Sequence, residues 1–91
     1  MNGVGHARLT VVNPLGLHAR AAARFVRVAG QFRCGVHVGR GHRRVDGKSI
    51  LGLLLLAAAR GAVLDVTTEG DDADEALSAL RGLVERGFED A

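Results

Sequence analysis

The stretch Asn13-Pro14-Leu15-Gly16-Leu17-His18-Ala19-Arg20 marks a junction between a predicted strand and a predicted helix. Leu9-Thr10-Val11-Val12 precedes it with β-branched strand character, and the segment from Ala19 to Ala29 contains no Gly or Pro. His18 is therefore expected at a helix N-terminus, where free backbone N–H groups and the helix dipole favour an anion. A phosphoryl group on this imidazole would be stabilised there, and the guanidinium of Arg20 could bind two of its oxygens.

The rest of the chain predicts a small α+β domain with the order βαββαβα. Four short strands with few helices favour an open-faced sandwich, in which a four-stranded antiparallel sheet carries three helices on one face. Glycine turns, apolar periodicity and an acidic first turn in the last helix define the segments. The predicted strands are Arg8 to Val12, Cys34 to Val38, His42 to Val45 and Val63 to Thr68, and the predicted helices are Ala19 to Ala29, Ser49 to about Ala59, and one after Gly70.

Length and composition indicate one domain over residues 1–91 with an aliphatic core, since the chain has three Phe and neither Trp nor Tyr. Cys34 is the only cysteine, which excludes an intrachain disulfide and is typical of a cytoplasmic protein. The sequence shows no secretory signal, and the longest apolar run, from Leu53 to Ala59, is too short to cross a bilayer. We therefore expect no membrane insertion.

Charge is distributed unevenly around a net value of +2. The segment up to Arg60 holds ten of the twelve basic residues and one acid, whereas the remainder holds nine acids. A basic half suits an anionic partner, and Arg40, Arg43 and Arg44 around a predicted hairpin leave open a small nucleic-acid-binding domain as an alternative. The strands lack the aromatic residues on which RNA-binding sheets stack bases, which disfavours that alternative. A conventional enzyme is not expected, because the chain has no P-loop, dinucleotide glycine motif or catalytic carboxylate pair.

Two segments at a fixed separation resemble one protein family. Gly16-Leu17-His18-Ala19-Arg20 resembles the active-site segment of HPr, the histidine phosphocarrier of the bacterial phosphotransferase system, and Lys48-Ser49-Ile50-Leu51-Gly52-Leu53 resembles that family's regulatory serine segment. The resemblance extends from about Arg8 to Phe88. Ala21 stands where many carriers have proline, and the Ala-rich motif is similar to the proteobacterial branch, some of whose members serve a nitrogen-related regulatory system.

The resemblance implies a phosphocarrier, which is a stoichiometric intermediate rather than an enzyme. His18 would accept phosphate on Nδ1 from enzyme I and pass it to EIIA-type proteins, for sugar uptake, its regulation or the nitrogen-related system. Arg20 would stabilise the phosphate. The resemblance also implies that an HPr kinase/phosphorylase modifies Ser49, although serine at this position is equally expected as a helix N-cap.

The predicted docking surface combines basic and apolar side chains. Arg24 and Arg27 align with Arg20 at helical spacing, which fits either a docking ridge for acidic partners or an ordinary solvated face. Ile50, Leu51 and Leu54 follow Ser49 in a helix that is apolar almost all round, and partial exposure of that helix would form an apolar contact. We expect no cofactor and no metal, because His6, His37 and His42 have no ligand-like spacing with His18. A monomer is expected.

Overall fold

The computed structural model describes residues 3–90 and contains one four-stranded sheet with helices on one face. The sheet order is β1-β4-β2-β3, and every pairing is antiparallel. In chain order the elements are β1 (Gly3–Thr10), α1 (Ala19–Ala29), β2 (Gly35–Arg40), β3 (Arg43–Asp46), α2 (Ile50–Leu55), β4 (Val63–Gly70), α3 (Ala73–Glu85) and α4 (Gly87–Asp90). The predicted α+β open-faced sandwich is confirmed, with α4 as an additional short turn.

The core lies between the helices and one face of the sheet, because alternate strand residues are buried. Leu9, Val38 and Val66 point to that side from three strands. The opposite face is open and polar, and Asp65 there forms an ion pair with Arg8 at 3.4 Å and lies 3.5 Å from His6 Nε2. The helices contribute the other half of the core through Ala21, Ala22, Phe25, Ala29, Leu53, Ala73, Ala76, Leu80, Leu83 and Val84.

The bounds of α1 agree with the prediction, whereas β1 begins earlier and ends sooner than predicted. β1 pairs with β4 along its whole length, starting with Gly3 opposite Gly70. Gly5 is required by packing, because a Cβ at this position would lie 2.7 Å from Thr68 Oγ1 and 2.9 Å from Leu77 Cδ2. A glycine-containing strand start has little sequence signal, so the tertiary contacts define it.

Helix α2 is shorter than predicted, since it ends at Leu55 rather than near Ala59. Arg40 Nη1 donates to Leu56 O at 3.0 Å and to Ala57 O at 3.3 Å, and Arg43 Nη1 donates to Leu55 O. Ala57 then leaves the helical region with φ of 48°. Two guanidinium groups from the β2–β3 hairpin thus bind the last carbonyls of the helix, where a cation also complements the dipole.

Candidate functional site

The loop before α1, which ends at His18, is fixed by hydrogen bonds from its backbone and from the Asn13 side chain. Asn13 Nδ2 donates to Gly16 O at 2.8 Å, and Gly16 N donates to Asn13 O at 3.1 Å, which closes a tight turn. Gly16 has φ of +68°, and a Cβ there would lie 2.5 Å from Ala58 O. Leu17 is buried and donates its N–H to Ala58 O at 2.8 Å. Glycine is therefore needed at position 16 for both its conformation and its close approach.

His18 is the N-cap of α1, with extended backbone at φ of −80° and ψ of −179°. Its Nδ1 accepts a solvent-exposed hydrogen bond of 3.2 Å from Arg20 N, in the first turn of the helix. Its Nε2 is buried and has no hydrogen-bond partner among residues 3–90. The lone pair of the neutral ring therefore lies on Nδ1, at the accessible edge that faces the helix N-terminus.

The three aligned arginines of α1 have different environments. Arg20 and Arg27 are exposed, and neither guanidinium has a hydrogen-bond or ion-pair partner within the described part of the chain. Arg24 is partly buried, and its Nη1 donates to Phe88 O at 2.8 Å and also to Glu89 O. The structure thus gives Arg24 an intramolecular role that its sequence spacing did not predict, and its predicted role in docking stays a prediction.

Helix α2 packs against α1 and presents leucines to solvent beside it. Ser49 is its N-cap, since Ser49 Oγ accepts from Gly52 N at 3.0 Å, as the capping interpretation predicts. Leu51 is 75% exposed and Ile50 40%, whereas Leu54 is partly buried against the core. Leu55, which the prediction left out of the docking surface, is 62% exposed. Leu55 lies four residues after Leu51 in α2, so the two exposed leucines share one face of the helix.

Leu15 is a further exposed apolar residue that sequence reasoning missed. Its side chain is 73% exposed in the loop that leads to His18, and with Val12 and Pro14 it lines a groove of about 770 Å³ against Glu85 to Gly87. The only sequence signal is an apolar residue at a turn position, where polar residues are more common. Apolar surface therefore lies in the His18 loop as well as on α2.

The hairpin arginines that suggested nucleic-acid binding are partly occupied elsewhere. Arg40 and Arg43 bind the C-terminal carbonyls of α2, which leaves Arg44 exposed on β3. His6 Nε2 lies 3.5 Å from Asp65 on the open face of the sheet. Within residues 3–90, no group of three or more His, Cys, Asp or Glu is arranged to hold a metal ion, and no helix is long and apolar enough to cross a membrane.

An open-faced sandwich with a histidine capping an arginine-bearing helix defines a class of small phosphoryl carrier. Comparison with known proteins gives the family. The family model described as "PTS HPr component phosphorylation site" matches residues 6–86. The phosphocarrier protein HPr of Pseudomonas aeruginosa is 52% identical over 83 residues, which cover 90% of this chain and 92% of that protein. The phosphocarrier protein NPr of Shewanella violacea is 37% identical over 84 residues, 92% of each chain.

Solved structures give the same result. The crystal structure of HPr-C-His from Thermoanaerobacter tengcongensis matches with a TM-score of 0.91 at 37% identity, covering 96% of this chain and 98% of that one. The chain therefore belongs to the HPr family of phosphocarrier proteins of the phosphotransferase system, as the two sequence segments predicted. The relatives from P. aeruginosa and Neisseria meningitidis are both named phosphocarrier protein HPr.

Proposed function

We propose that this chain accepts a phosphoryl group on Nδ1 of His18 from enzyme I and passes it to EIIA-type proteins. The observation that carries the proposal is the environment of the two ring nitrogens: Nδ1 is accessible at the N-terminus of α1, and Nε2 is buried. An attacking nitrogen needs a reachable lone pair, and only Nδ1 offers one.

The transfer requires no base on the carrier. As the Nδ1–phosphorus bond forms, the bond from phosphorus to the donor breaks, and the ring keeps its proton on Nε2. Arg20 N–H, which donates to Nδ1 in the unmodified protein, becomes free to donate to a phosphoryl oxygen. The helix dipole and the exposed Arg20 guanidinium add to the stabilisation of the new charge. Because the hydrogen bond at Nδ1 is exposed to solvent, a phosphoryl group there would stay available to the next protein.

We infer a docking surface on the packed helices α1 and α2 that consists of Arg20, Arg27, Ile50, Leu51 and Leu55. It combines exposed cations of the helix that His18 caps with exposed apolar side chains of its neighbour. This is the polar and apolar mixture expected of a transient interface with an acidic partner. Leu54 contributes mainly by packing under this surface, because it is partly buried.

Ser49 is proposed as a second, regulatory phosphorylation site for an HPr kinase/phosphorylase. Its hydroxyl caps α2 and is bound to Gly52 N, so a phosphate would also lie at a helix N-terminus. About two negative charges would then be added beside the apolar residues Ile50 and Leu51. Modification would repel an acidic partner from the docking surface.

The identities favour the HPr type over the nitrogen-related type. The protein named HPr from P. aeruginosa is 52% identical, compared with 37% for the protein named NPr from S. violacea. The ultimate acceptor follows from this choice: sugar-transport components for the former, regulatory proteins for the latter. The monomeric state and the cytoplasmic location stay predictions of the sequence.

Phosphorylation of purified protein with enzyme I and phosphoenolpyruvate tests the proposal. We expect one acid-labile, base-stable phosphate per chain, absent from His18→Ala, with His37→Ala as the matched control on the open face of the sheet. A His18→Ala protein that accepted phosphate at the normal rate would exclude His18 as the acceptor. A salt-sensitive gel shift with RNA or DNA and no phosphorylation would favour the nucleic-acid alternative instead.

A further inference from the structure

Arg24 lies near the middle of α1, and its guanidinium binds the short helix α4. Its Nη1 donates to the carbonyl oxygens of both Phe88 and Glu89. Arg20 and Arg27, on the same side of the helix, have no such partners within residues 3–90. A guanidinium that binds two main-chain carbonyls is a structural ligand of the C-terminal turn.

The turn that Arg24 holds has a conformation that needs external support. Phe88 and Glu89 have φ of 56° and 54°, in the left-handed region that side chains other than glycine disfavour. Phe88 is fully buried in the core and Arg24 binds the two carbonyls, which offsets this cost. Glu89 is also held locally, because its N–H donates to Arg86 O at 3.2 Å and its carboxylate pairs with Arg86 at 3.3 Å. Loss of Arg24 would leave the buried ring and these local contacts to hold the turn.

The same turn lies beside the loop that leads to His18. A Cβ built on Gly87 would be at ordinary van der Waals distance, 3.4 Å, from Asn13 Cβ, and both residues line the same groove. Asn13 in turn closes the Gly16 turn through its bond to Gly16 O at 2.8 Å. Neighbouring residues thus link Arg24, through its bonds to Phe88 and Glu89 and through Gly87 beside Asn13, to the turn immediately before His18.

We propose that Arg24 is a positioning residue: through the C-terminal turn it fixes the loop that orients His18, and it contributes little to partner docking. This inference rests on the proposed role of His18. It predicts that loss of Arg24 changes the reactivity of the ring, whereas loss of Arg27 changes only the encounter with partners.

The experiment compares Arg24→Gln with Arg27→Gln, which remove equal charge from the same helix. Steady-state transfer from enzyme I is measured with the carrier as the varied substrate, at low and high salt. For Arg24→Gln we expect kcat to fall by about threefold to 100-fold at both salt concentrations, as misplacement of a reacting group produces. For Arg27→Gln we expect KM to exceed the wild-type value at low salt. The difference should disappear at high salt, because screening weakens the electrostatic attraction between the wild type and its partner.

Two measurements without any partner complete the test. The half-life of the isolated phosphohistidine and the amide NMR shifts of Leu17 and His18 should change in Arg24→Gln and stay as in the wild type in Arg27→Gln. Arg24→Lys, whose ammonium can donate to the same carbonyls, should show a wild-type phosphohistidine half-life and wild-type amide shifts. This variant keeps the test decisive where Arg24→Gln folds poorly. The proposal is overturned if Arg24→Gln matches the wild type, or shows the salt-dependent KM effect of Arg27→Gln. Failure of the wild type to be phosphorylated would instead reject the role of His18, and the amide shifts would still report on the loop.

Discussion

At the scale of single residues, the two ring nitrogens of His18 lie in different environments. Nδ1 is reachable and is hydrogen-bonded to Arg20 N, while Nε2 is enclosed and keeps the proton. Burial of Nε2 leaves Nδ1 as the accessible nitrogen, which supports the proposed role of Nδ1 as the phosphate acceptor. This orientation comes from backbone geometry, because an N-cap residue directs its side chain at the N–H groups of the first turn.

Arg20 provides the clearest test of charge stabilisation at this site. Its guanidinium is exposed and has no partner within residues 3–90, so Arg20→Ala should leave the free energy of unfolding nearly unchanged. Transfer from enzyme I should slow by the equivalent of about 2–4 kcal/mol, typical of a lost charged donor at a transition state. Stopped-flow transfer kinetics and urea unfolding measure the two effects separately. Unchanged transfer would leave the helix N-terminus as the sole phosphate anchor.

Gly16 tests whether the loop orients the ring. Gly16→Ala forces a side chain into positive φ and against Ala58 O, so we expect a destabilisation of roughly 1–3 kcal/mol and slower transfer. Gly41→Ala is the matched control, since Gly41 has φ of +59° and open space around it. Thermal unfolding and transfer rates should show a stability loss in both variants but slower transfer only in Gly16→Ala. Equal transfer in the two variants would contradict a role for the loop.

At the scale of elements, α2 is too short to be stable alone and is held at both ends. Ser49 caps its start, and Arg40 with Arg43 binds its final carbonyls. Leu51 and Leu55, four residues apart on one face of this helix, are both exposed.

Substitutions at Ser49 separate the cap from the charge. Ser49→Ala should lower the free energy of unfolding by about 1 kcal/mol through loss of the bond to Gly52 N, with nearly normal transfer. Ser49→Asp keeps a capping oxygen and adds a negative charge beside Ile50 and Leu51, so transfer from enzyme I should weaken, most strongly at low salt. Thermal unfolding reports the cap, and transfer kinetics at two salt concentrations report the charge. If Ser49→Asp transferred phosphate at the wild-type rate at low salt, the role of Ser49 would be limited to capping α2.

The sequence predicted those elements whose signals are local. The bounds of α1 and the Ser49 cap followed from helix propensity and capping chemistry. The true end of α2 and the bonds of Arg24 did not, because both depend on residues distant in the chain. The early start of β1 was not predicted, because Gly3 and Gly5 have low strand propensity and their strand conformation comes from pairing with β4. Non-local contacts thus decided which predicted site residues are exposed.

At the scale of the whole molecule, Asp72 connects the start of α3 to the segment before β2. Asp72 Oδ2 accepts from Arg33 N and Oδ1 from Cys34 N, both at 2.9 Å. The N–H of Arg33, followed by that of Cys34, holds the pKa of this carboxyl below its ordinary value of 3.8. Burial raises the pKa of the neighbouring Cys34 thiol, with the Asp72 carboxylate adding to the effect. The segment before β2 is thus joined to the N-terminus of α3 by two hydrogen bonds from backbone N–H groups to the Asp72 carboxylate.

Acid titration of stability tests this connection. Because the folded pKa of Asp72 is depressed, its contribution to stability is present above pH 3.8 and is lost as the pH falls through the folded pKa. Asp72→Asn should therefore be less stable than the wild type at neutral pH, and the difference should shrink as the pH falls below 3.8. Asp74→Asn is the control, because Asp74 is exposed in the first turn of α3 and accepts no bond from the segment before β2 within residues 3–90. Urea unfolding across this pH range measures both variants. If the difference in free energy of unfolding between wild type and Asp72→Asn stayed constant with pH, the backbone hydrogen bonds would not depend on the carboxylate charge.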